Sequence, residues 1–208
     1  MIDGLLKKHI DPLWEAASTP LVRARLTPNQ VTAAGLVLVC LSALAYLWHR
    51  SDMAFGLCLS LAFTFDALDG AVARRRGLSS RRGGYFDAMV DRYQELVVLA
   101  ALAWVHDAWA MGMAAASGSF LISYAKARVA LEMPVSNDNW PDLFERMERV
   151  IFICLMLVLS GIFGGWITVW GLGLFALLAH GTALQRAARA AKMLAFQDQK
   201  DQVADREK

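Results

Sequence analysis

The chain of 208 residues has few of the residues that build disulfide-linked, metal-thiolate or nucleic-acid-binding proteins. Its three cysteines, Cys40, Cys58 and Cys154, stand at unrelated spacings inside apolar stretches, which argues against a disulfide framework and a thiolate metal site. The four histidines are scattered, so none is expected to be catalytic. The sequence shows no internal repeat and no nucleic-acid-binding motif, and its N-terminus lacks the apolar core and cleavage site of a signal peptide.

Charged side chains are also scarce for an ordinary soluble domain. Only 19% of the residues are charged and 57% are hydrophobic, with a mean hydropathy of +0.39. A helix needs about 20 mainly apolar residues to cross a bilayer. The sequence therefore predicts an all-α integral membrane protein with one membrane domain. Six transmembrane helices are predicted, at residues 31–48, 53–73, 86–105, 109–130, 149–164 and 166–185.

Lysine and arginine are concentrated at one end of this predicted bundle. They precede the first span, lie between the second and third and between the fourth and fifth, and follow the sixth, whereas the opposite connections hold only Arg50. Positive charge near the ends of spans marks the cytoplasmic side. We therefore expect a multi-pass protein of the cell (inner) membrane, with both termini facing the cytoplasm.

Three segments are expected along the chain. Residues 1–25 have apolar side chains at helical spacing, and they predict an interfacial amphipathic helix or, equally, a helix packed on the domain. Residues 26–195 form the six-helix membrane domain, beginning at the helix-start signal of Thr27 and Pro28. Residues 196–208 form a charged cytoplasmic tail, either a solvated helix end or disordered.

Four aspartates stand on a fixed frame that joins the end of the second predicted span to the start of the third. Asp66 and Asp69 lie three residues apart on one predicted helix, and Asp87 and Asp91 lie four apart on the next, so each pair shares a helix face. Ionised carboxylates next to hydrocarbon must be paired, neutralised or metal-bound. If the two helices face each other, the four carboxylates converge and form an oxygen-ligand site suited to one or two Mg²⁺ or Mn²⁺ ions. The site would lie on the cytoplasmic side.

The frame resembles the signature of the CDP-alcohol phosphatidyltransferases. All eight fixed positions match, and they are Asp66, Asp69, Gly70, Ala73, Arg74, Gly83, Asp87 and Asp91. The resemblance implies a metal-dependent transfer of a phosphatidyl-type group from a CDP-lipid to an alcohol, with release of CMP. It also implies that Asp66, Asp69, Asp87 and, in part, Asp91 bind the metal, and that Asp91 acts on the attacking hydroxyl as a base or by orienting it.

The resemblance also implies where the CDP-lipid binds. The expected contacts are Asn29, Thr32, Asp66, Asp69, Gly70, Ala73, Arg74, Ser80 and Gly83. Without it, Asn29 and Thr32 read as part of a helix cap and Ser80 as a loop serine. The other arginines of this connection, Arg75, Arg76, Arg81 and Arg82, are expected to orient the protein and to meet lipid headgroups.

Basic residues around the fourth-to-fifth connection predict the acceptor site. The segments SYAKAR and ERMER are similar to those of phosphatidylinositol-phosphate and archaetidylinositol-phosphate synthases, where basic residues hold the acceptor's phosphate. The resemblance thus implies that the acceptor phosphate binds Lys126, Arg128, Arg149 and Arg186. In isolation these residues would read as a snorkelling rim. Their charge favours a phosphorylated alcohol, because cations gathered without an anion repel one another.

Several alternatives remain open from the sequence. Inositol phosphate is the favoured acceptor, and glycerol 3-phosphate, which would yield phosphatidylglycerophosphate, is the second. An ion-coupled membrane transporter with intramembrane carboxylates is the alternative from another class. The expected partners are the two substrates and membrane lipids, without nucleic acid, and the family resemblance implies a homodimer.

Overall fold

The computed structural model describes residues 13–133 and 142–206, and regular secondary structure within them is entirely helical. Residues 13–17 are helical and precede a short helix. The helices are α1 (Thr19–Arg23), α2 (Pro28–His49), α3 (Asp52–Arg76), α4 (Arg81–Val105), α5 (Trp109–Val129), α6 (Arg146–Phe163) and α7 (Trp166–Arg206). Residues 1–12 of the predicted interfacial helix lie outside the described part of the chain, as do residues 207–208 of the predicted tail.

The all-α prediction is confirmed for these residues, and α2 to α7 follow the six predicted spans in order. By length and apolar composition, three described helices could cross a membrane: Pro28–His49, Asp52–Arg76 and Trp166–Lys200. Polar side chains explain part of the difference between these three helices and the six predicted spans. The N-terminal halves of α4 and α6 carry acidic and basic side chains, among them Asp87, Asp91 and Arg149, which lower the hydropathy of these helices.

The long helices form a closed ring. Around the bundle the order is α3, α2, α4, α5, α7 and α6, and α6 packs back against α3. Inside the ring, large apolar side chains such as Phe55, Leu102, Leu157 and Phe175 are fully buried. Outside it, Trp48 is 91% exposed and many leucines are also exposed. Such a surface would be unfavourable in water but not against lipid tails, so the bundle fits a membrane.

Caps fix the helix ends that border the aspartates. The backbone N–H of Gln30 donates to Thr27 Oγ1 at 3.3 Å, and Gln30 Oε1 accepts from the Thr27 N–H at 2.8 Å. This reciprocal capping box starts α2 at Pro28, as the sequence predicts. Ser80 caps α4 by accepting the Gly83 N–H at 3.0 Å, a role that its position in an arginine-rich loop did not reveal.

Two arginines that were expected to meet lipid headgroups make contacts within the protein. Arg75 Nη1 donates to the Glu15 carbonyl at 2.6 Å and to Ser18 Oγ at 3.0 Å. Arg76 Nη1 donates to the carbonyls of Arg25 at 2.8 Å and Leu26 at 2.5 Å. Because carbonyls at the end of a helical segment need donors, these arginines hold the N-terminal segment to the end of α3.

A buried polar network closes the opposite end of the bundle. Asp52, 7% exposed, accepts hydrogen bonds from Tyr46 at 2.6 Å and Thr168 at 2.9 Å, and also from Ser160. His106 Nε2 lies 3.0 Å from the same carboxylate. One carboxylate therefore links α2, α3, α6, α7 and the turn after α4.

Replacing Asp52 should destabilise the bundle without touching the aspartate frame. Asp52→Ala leaves several buried donors without an acceptor, and breaking a buried charged network costs about 3–5 kcal/mol. We expect a clear fall in the unfolding midpoint of the detergent-solubilised protein, measured by thermal denaturation. Glu132→Ala, which removes a half-exposed carboxylate, is the control and should change the midpoint little. Equal midpoints in the two variants would contradict a stabilising role for this network.

Candidate active site

Three of the four aspartates form a compact oxygen cluster. Each of Asp66, Asp69 and Asp87 offers a carboxylate oxygen, and these oxygens all lie within 4.8 Å of one another. Asp66 and Asp69 are buried on α3, and Asp87 lies on α4. Both helices pack against α2, and their carboxylates meet beside it. Hard oxygen donors of this kind suit Mg²⁺ or Mn²⁺, so the residues present fit a divalent ion.

The fourth aspartate turns towards arginines instead. Arg146 Nη2 lies 2.6 Å from Asp91 Oδ1 and 2.5 Å from Asp66 Oδ2. Gln94 Oε1 accepts from the same nitrogen at 3.0 Å. Arg92 Nη2 lies 3.6 Å from the other oxygen of Asp91. A protein cation therefore stands between Asp66 and Asp91, and Asp91 is outside the three-carboxylate cluster.

Thr32 orients one of the carboxylates. Its side chain is buried on α2, and its hydroxyl contacts the Asp69 carboxylate and lies 3.0 Å from the Pro28 carbonyl. The single hydroxyl proton can serve only one of these acceptors at a time. The sequence predicted Thr32 as a nucleotide contact, whereas the structure gives it a direct contact with a predicted metal ligand.

A cleft of about 220 Å³ opens beside the cluster. Seven of the nine predicted CDP-lipid contacts line it: Asn29, Thr32, Asp69, Gly70, Ala73, Ser80 and Gly83. The remaining two, Asp66 and Arg74, are not part of this lining. The cleft is bounded by the capped starts of α2 and α4 and by the last turns of α3.

Glycine is needed at one wall of this cleft. A Cβ atom on Gly83 would lie 3.2 Å from Ser80 Oγ and 3.5 Å from Asn29 Oδ1, which is tight against the capping serine. At Gly70 a Cβ would lie 3.4 Å from Arg74 Nη1, so Arg74 folds back over Gly70 one turn away. A side chain at position 83 would therefore press on the capping serine, whereas at position 70 a Cβ would make only ordinary contact with Arg74.

A second cavity of about 1210 Å³ lies on the other side of the carboxylates. Asp87 lines both cavities, and Asp91 lines only the larger one. Three of the four predicted acceptor residues, Lys126, Arg149 and Arg186, also line the larger cavity. The structure thus brings these cations to one cavity from α5, α6 and α7.

Arg128 is directed elsewhere. Its Nη1 lies 2.5 Å from Glu132 Oε1 in an exposed pair four residues apart on the chain. It is not among the residues that line the larger cavity. Its neighbour Lys126 is, because residues two apart on a helix point in different directions.

The arginines of the larger cavity are not bare cations, contrary to the electrostatic argument from sequence. Arg149 is buried and its Nε contacts the Glu95 carboxylate, while its Nη1 donates to the Phe144 carbonyl at 3.1 Å. Arg186 Nε donates to Asp142 Oδ2 at 2.8 Å. Within the described residues each of these arginines therefore has a carboxylate partner, which reduces the repulsion that the sequence led us to expect.

Sequence reasoning missed four residues of this region. Arg146, Gln94 and Glu95 are adjacent to predicted residues, and Glu95 continues the face of Asp87 and Asp91 at the next helical turn. A charged residue on that face within an apolar stretch was a usable signal for Glu95. Asp142 gave no comparable signal, because it lies in a connection between helices and only the fold brings it to Arg186.

Comparisons with known proteins identify the family of this chain. A family model described as CDP-alcohol phosphatidyltransferase matches residues 25–178. An archaetidylinositol phosphate synthase from Pyrococcus horikoshii is 29% identical over 195 residues, covering 93% of this chain and 98% of that protein. A phosphatidylinositol phosphate synthase from Mycobacteroides abscessus is 32% identical over 175 residues, covering 78% of this chain and 76% of that protein.

Solved structures are similar as well. The crystal structure of Mycobacterium tuberculosis phosphatidylinositol phosphate synthase with CDP-DAG bound has a TM-score of 0.75 and 28% identity, covering 86% of this chain and 94% of that chain. The same enzyme in complex with manganese and citrate also has a TM-score of 0.75 and 28% identity, and covers 85% and 88%.

The chain belongs to the CDP-alcohol phosphatidyltransferase family. It is therefore an enzyme, a transferase of phospholipid synthesis, and its relatives include inositol phosphate lipid synthases. Membership confirms the resemblance drawn from the aspartate frame and favours this activity over the transporter alternative.

The contact between Thr32 and Asp69 can be tested directly. Thr32→Val keeps the shape and removes the hydroxyl, and a hydrogen bond to a charged group is worth about 1.5–3 kcal/mol. We expect the Mn²⁺ concentration for half-maximal CMP release to rise about tenfold or more, with little change for Thr32→Ser. If Thr32→Val raised only the KM for CDP-lipid, its main contact would be with the nucleotide, as the sequence alone predicted.

Proposed function

We propose that this enzyme transfers a phosphatidyl-type group from a CDP-lipid, CDP-diacylglycerol, to a phosphorylated alcohol and releases CMP. The favoured acceptor is inositol phosphate. The observation that carries this proposal is the pair of cavities meeting at Asp87, one lined by the predicted nucleotide contacts and the other by Lys126, Arg149 and Arg186. Two substrates held on opposite sides of one carboxylate cluster suit a group transfer between them.

Asp66, Asp69 and Asp87 would hold Mg²⁺ or Mn²⁺. When bound, such an ion neutralises the diphosphate and the charge that grows on the CMP leaving group. The donor set supports this role, since three carboxylates beside an anionic diphosphate would otherwise repel it. The manganese complex of the similar M. tuberculosis enzyme adds support. Thr32 then keeps Asp69 in position, and Arg74 would donate charge-assisted hydrogen bonds to a phosphate.

Asp91 is the residue we propose to act on the acceptor hydroxyl. It lines the larger cavity next to Asp87, so it can reach an alcohol held there. In the described structure its carboxylate is held by Arg146 and Arg92. Arg146 also contacts Asp66 and thereby links the two sides of the site. Asp91 would accept the hydroxyl proton or orient the hydroxyl towards the CDP-lipid.

The acceptor choice rests on the basic wall of the larger cavity. Lys126, Arg149 and Arg186 offer donors for a phosphate. Arg128 remains a predicted contact of the same phosphate. Relatives named as archaetidylinositol phosphate synthase and phosphatidylinositol phosphate synthase support inositol phosphate. Glycerol 3-phosphate remains the second candidate, because the same wall would bind its phosphate group equally well.

The membrane arrangement follows from the helix order and charge. We propose that α2 to α7 all cross the inner membrane, with the active site and both termini on the cytoplasmic side. Residues 1–25 would lie at the interface and residues 26–195 would form the membrane domain, followed by the cytoplasmic tail at 196–208. Exposed apolar side chains on the outside of the ring support this embedding. A homodimer is proposed from the family resemblance.

Substitutions should distinguish the proposed metal ligand Asp87 from the proposed base Asp91. Asp87→Asn removes a predicted ligand charge, so it should abolish transfer and weaken Mn²⁺ binding, measured by electron paramagnetic resonance of the purified protein. Asp91→Asn should also lose transfer, by about 100-fold or more, but keep Mn²⁺ and CDP-lipid binding because the three-carboxylate cluster stays intact. Equal loss of Mn²⁺ affinity in both variants would show that Asp91 acts as a ligand. Full activity in EDTA with metal-free protein would refute metal dependence.

The acceptor can be identified by a panel assay. With CDP-diacylglycerol, we expect CMP release to be fastest with inositol phosphate, slower with glycerol 3-phosphate and absent with free inositol, serine or choline. Arg186→Gln should raise the KM for the phosphorylated acceptor about tenfold, since a hydrogen bond to a charged group is lost. The KM for CDP-lipid should change little.

Two further variants sharpen this test. Lys192→Gln removes an exposed cation from the same helix and should leave the acceptor KM unchanged. Arg128→Gln tests whether Arg128 belongs to the site despite its pairing with Glu132. If glycerol 3-phosphate is best, the phosphate site stands and the product changes. If a non-phosphorylated alcohol is best, the proposed site is wrong.

A further inference from the structure

Asp142 is a buried carboxylate behind the basic wall of the larger cavity. Its side chain is 0% exposed. Arg186 Nε lies 2.8 Å from Asp142 Oδ2, and Nη2 of the same guanidinium contacts that oxygen too. Arg189 Nη1 lies 3.4 Å from Oδ1. Asp142 itself does not line the cavity, whereas Arg186 does.

These contacts use most of the donors of Arg186. The guanidinium has five N–H groups. Nε and Nη2 each give one to Asp142, and Nη1 gives one to the Ile122 carbonyl at 2.5 Å. One N–H on each terminal nitrogen remains for a ligand in the cavity. Arg186 is therefore already neutralised and partly satisfied before any acceptor binds.

A resident counter-ion opposes the binding of a second anion. A phosphate at Arg186 would be repelled by the Asp142 carboxylate a few ångströms behind it, in a region sheltered from solvent screening. Without Asp142, the positive charges of Lys126, Arg186 and Arg189 would lose one carboxylate that offsets them, and a phosphate would meet less repulsion. Asp142 thus stabilises the empty cavity and weakens its grip on an anion.

Weaker binding of the phosphate is an advantage in the proposed reaction. An acceptor's own phosphate is not consumed when its hydroxyl attacks the CDP-lipid, so the product carries the same phosphate in the same place. Tight binding of that phosphate would therefore slow product release as much as it favoured acceptor binding.

We propose that Asp142 is a built-in counter-ion that limits the affinity of the cavity for the acceptor's phosphate and so speeds release of the phosphorylated product. This inference rests on the proposed function, because it requires a phosphorylated acceptor. Asp142 is a residue that sets affinity through Arg186, and it does not itself touch the substrate.

The test uses inorganic phosphate as the probe and the full-length protein in detergent. With divalent metal removed by EDTA, phosphate binding is measured by calorimetry at low salt. Asp142→Asn should bind phosphate about tenfold more tightly than the unmodified protein, because one opposing charge is lost. Its KM for the phosphorylated acceptor should fall, and inhibition by product should become stronger. A gain in affinity could not arise from partial unfolding.

The control is Asp198→Asn. It makes the same change at an exposed position of α7, the helix that carries Arg186, and it should leave phosphate binding unchanged. Should Asp142→Asn fold poorly, the double variant Asp142→Asn with Arg186→Gln replaces the ion pair by neutral groups of similar size. It should bind phosphate more tightly than Arg186→Gln alone, because Lys126 and Arg189 also lose the opposing charge.

The outcomes separate the two proposals. Unchanged or weaker phosphate binding in both Asp142 variants, with normal binding in the unmodified protein, overturns the counter-ion role and leaves the proposed function intact. Failure of the unmodified protein to bind phosphate, together with activity towards a non-phosphorylated alcohol, overturns both.

Discussion

The mutual repulsion of carboxylates at one end of an apolar bundle is the constraint on which this site depends. Asp66, Asp69 and Asp87 converge within 4.8 Å, and Asp91 follows on the same face as Asp87. Such a group persists in a folded protein only when cations compensate it or protons neutralise part of it. In the described structure Arg146 supplies part of that compensation between Asp66 and Asp91. The three oxygen donors fit a divalent ion, which we propose supplies the rest.

The larger cavity shows the same need for compensation, but there the buried charges are positive. Arg149 and Arg186 are buried, and a buried guanidinium requires a partner as much as a buried carboxylate does. Glu95 and Asp142 provide these partners from α4 and from the connection before α6. Affinity for an anionic substrate is then a difference between two pairings, protein with protein and protein with substrate. Under the proposed function, this balance would let a cavity rich in arginine and lysine still release its phosphorylated product.

Stability and chemistry are located at opposite ends of the ring of helices. Asp52 ties several helices together through hydrogen bonds from neutral side chains, whereas Asp66 and Asp91 of the aspartate frame share the charged Arg146. Networks whose members are all satisfied rigidify a fold, and sites that bind ligands keep part of their capacity open. The closed ring of α2 to α7 connects the two ends through an apolar core.

The sequence by itself determined the all-α class, the order of the six long helices, the cap at Thr27 and the family, because hydrophobic periodicity, capping residues and the aspartate spacing are local properties. It also predicted seven residues that line the smaller cleft, and four of them, Asp69, Gly70, Ala73 and Gly83, belong to the aspartate motif. Only the tertiary structure decided which carboxylate meets which arginine. Asp142 with Arg186 and Glu95 with Arg149 are pairs from distant segments, and Arg128 leaves the cavity that Lys126 lines. Such pairings depend on how helices pack around the ring, and no local pattern in the chain encodes that geometry.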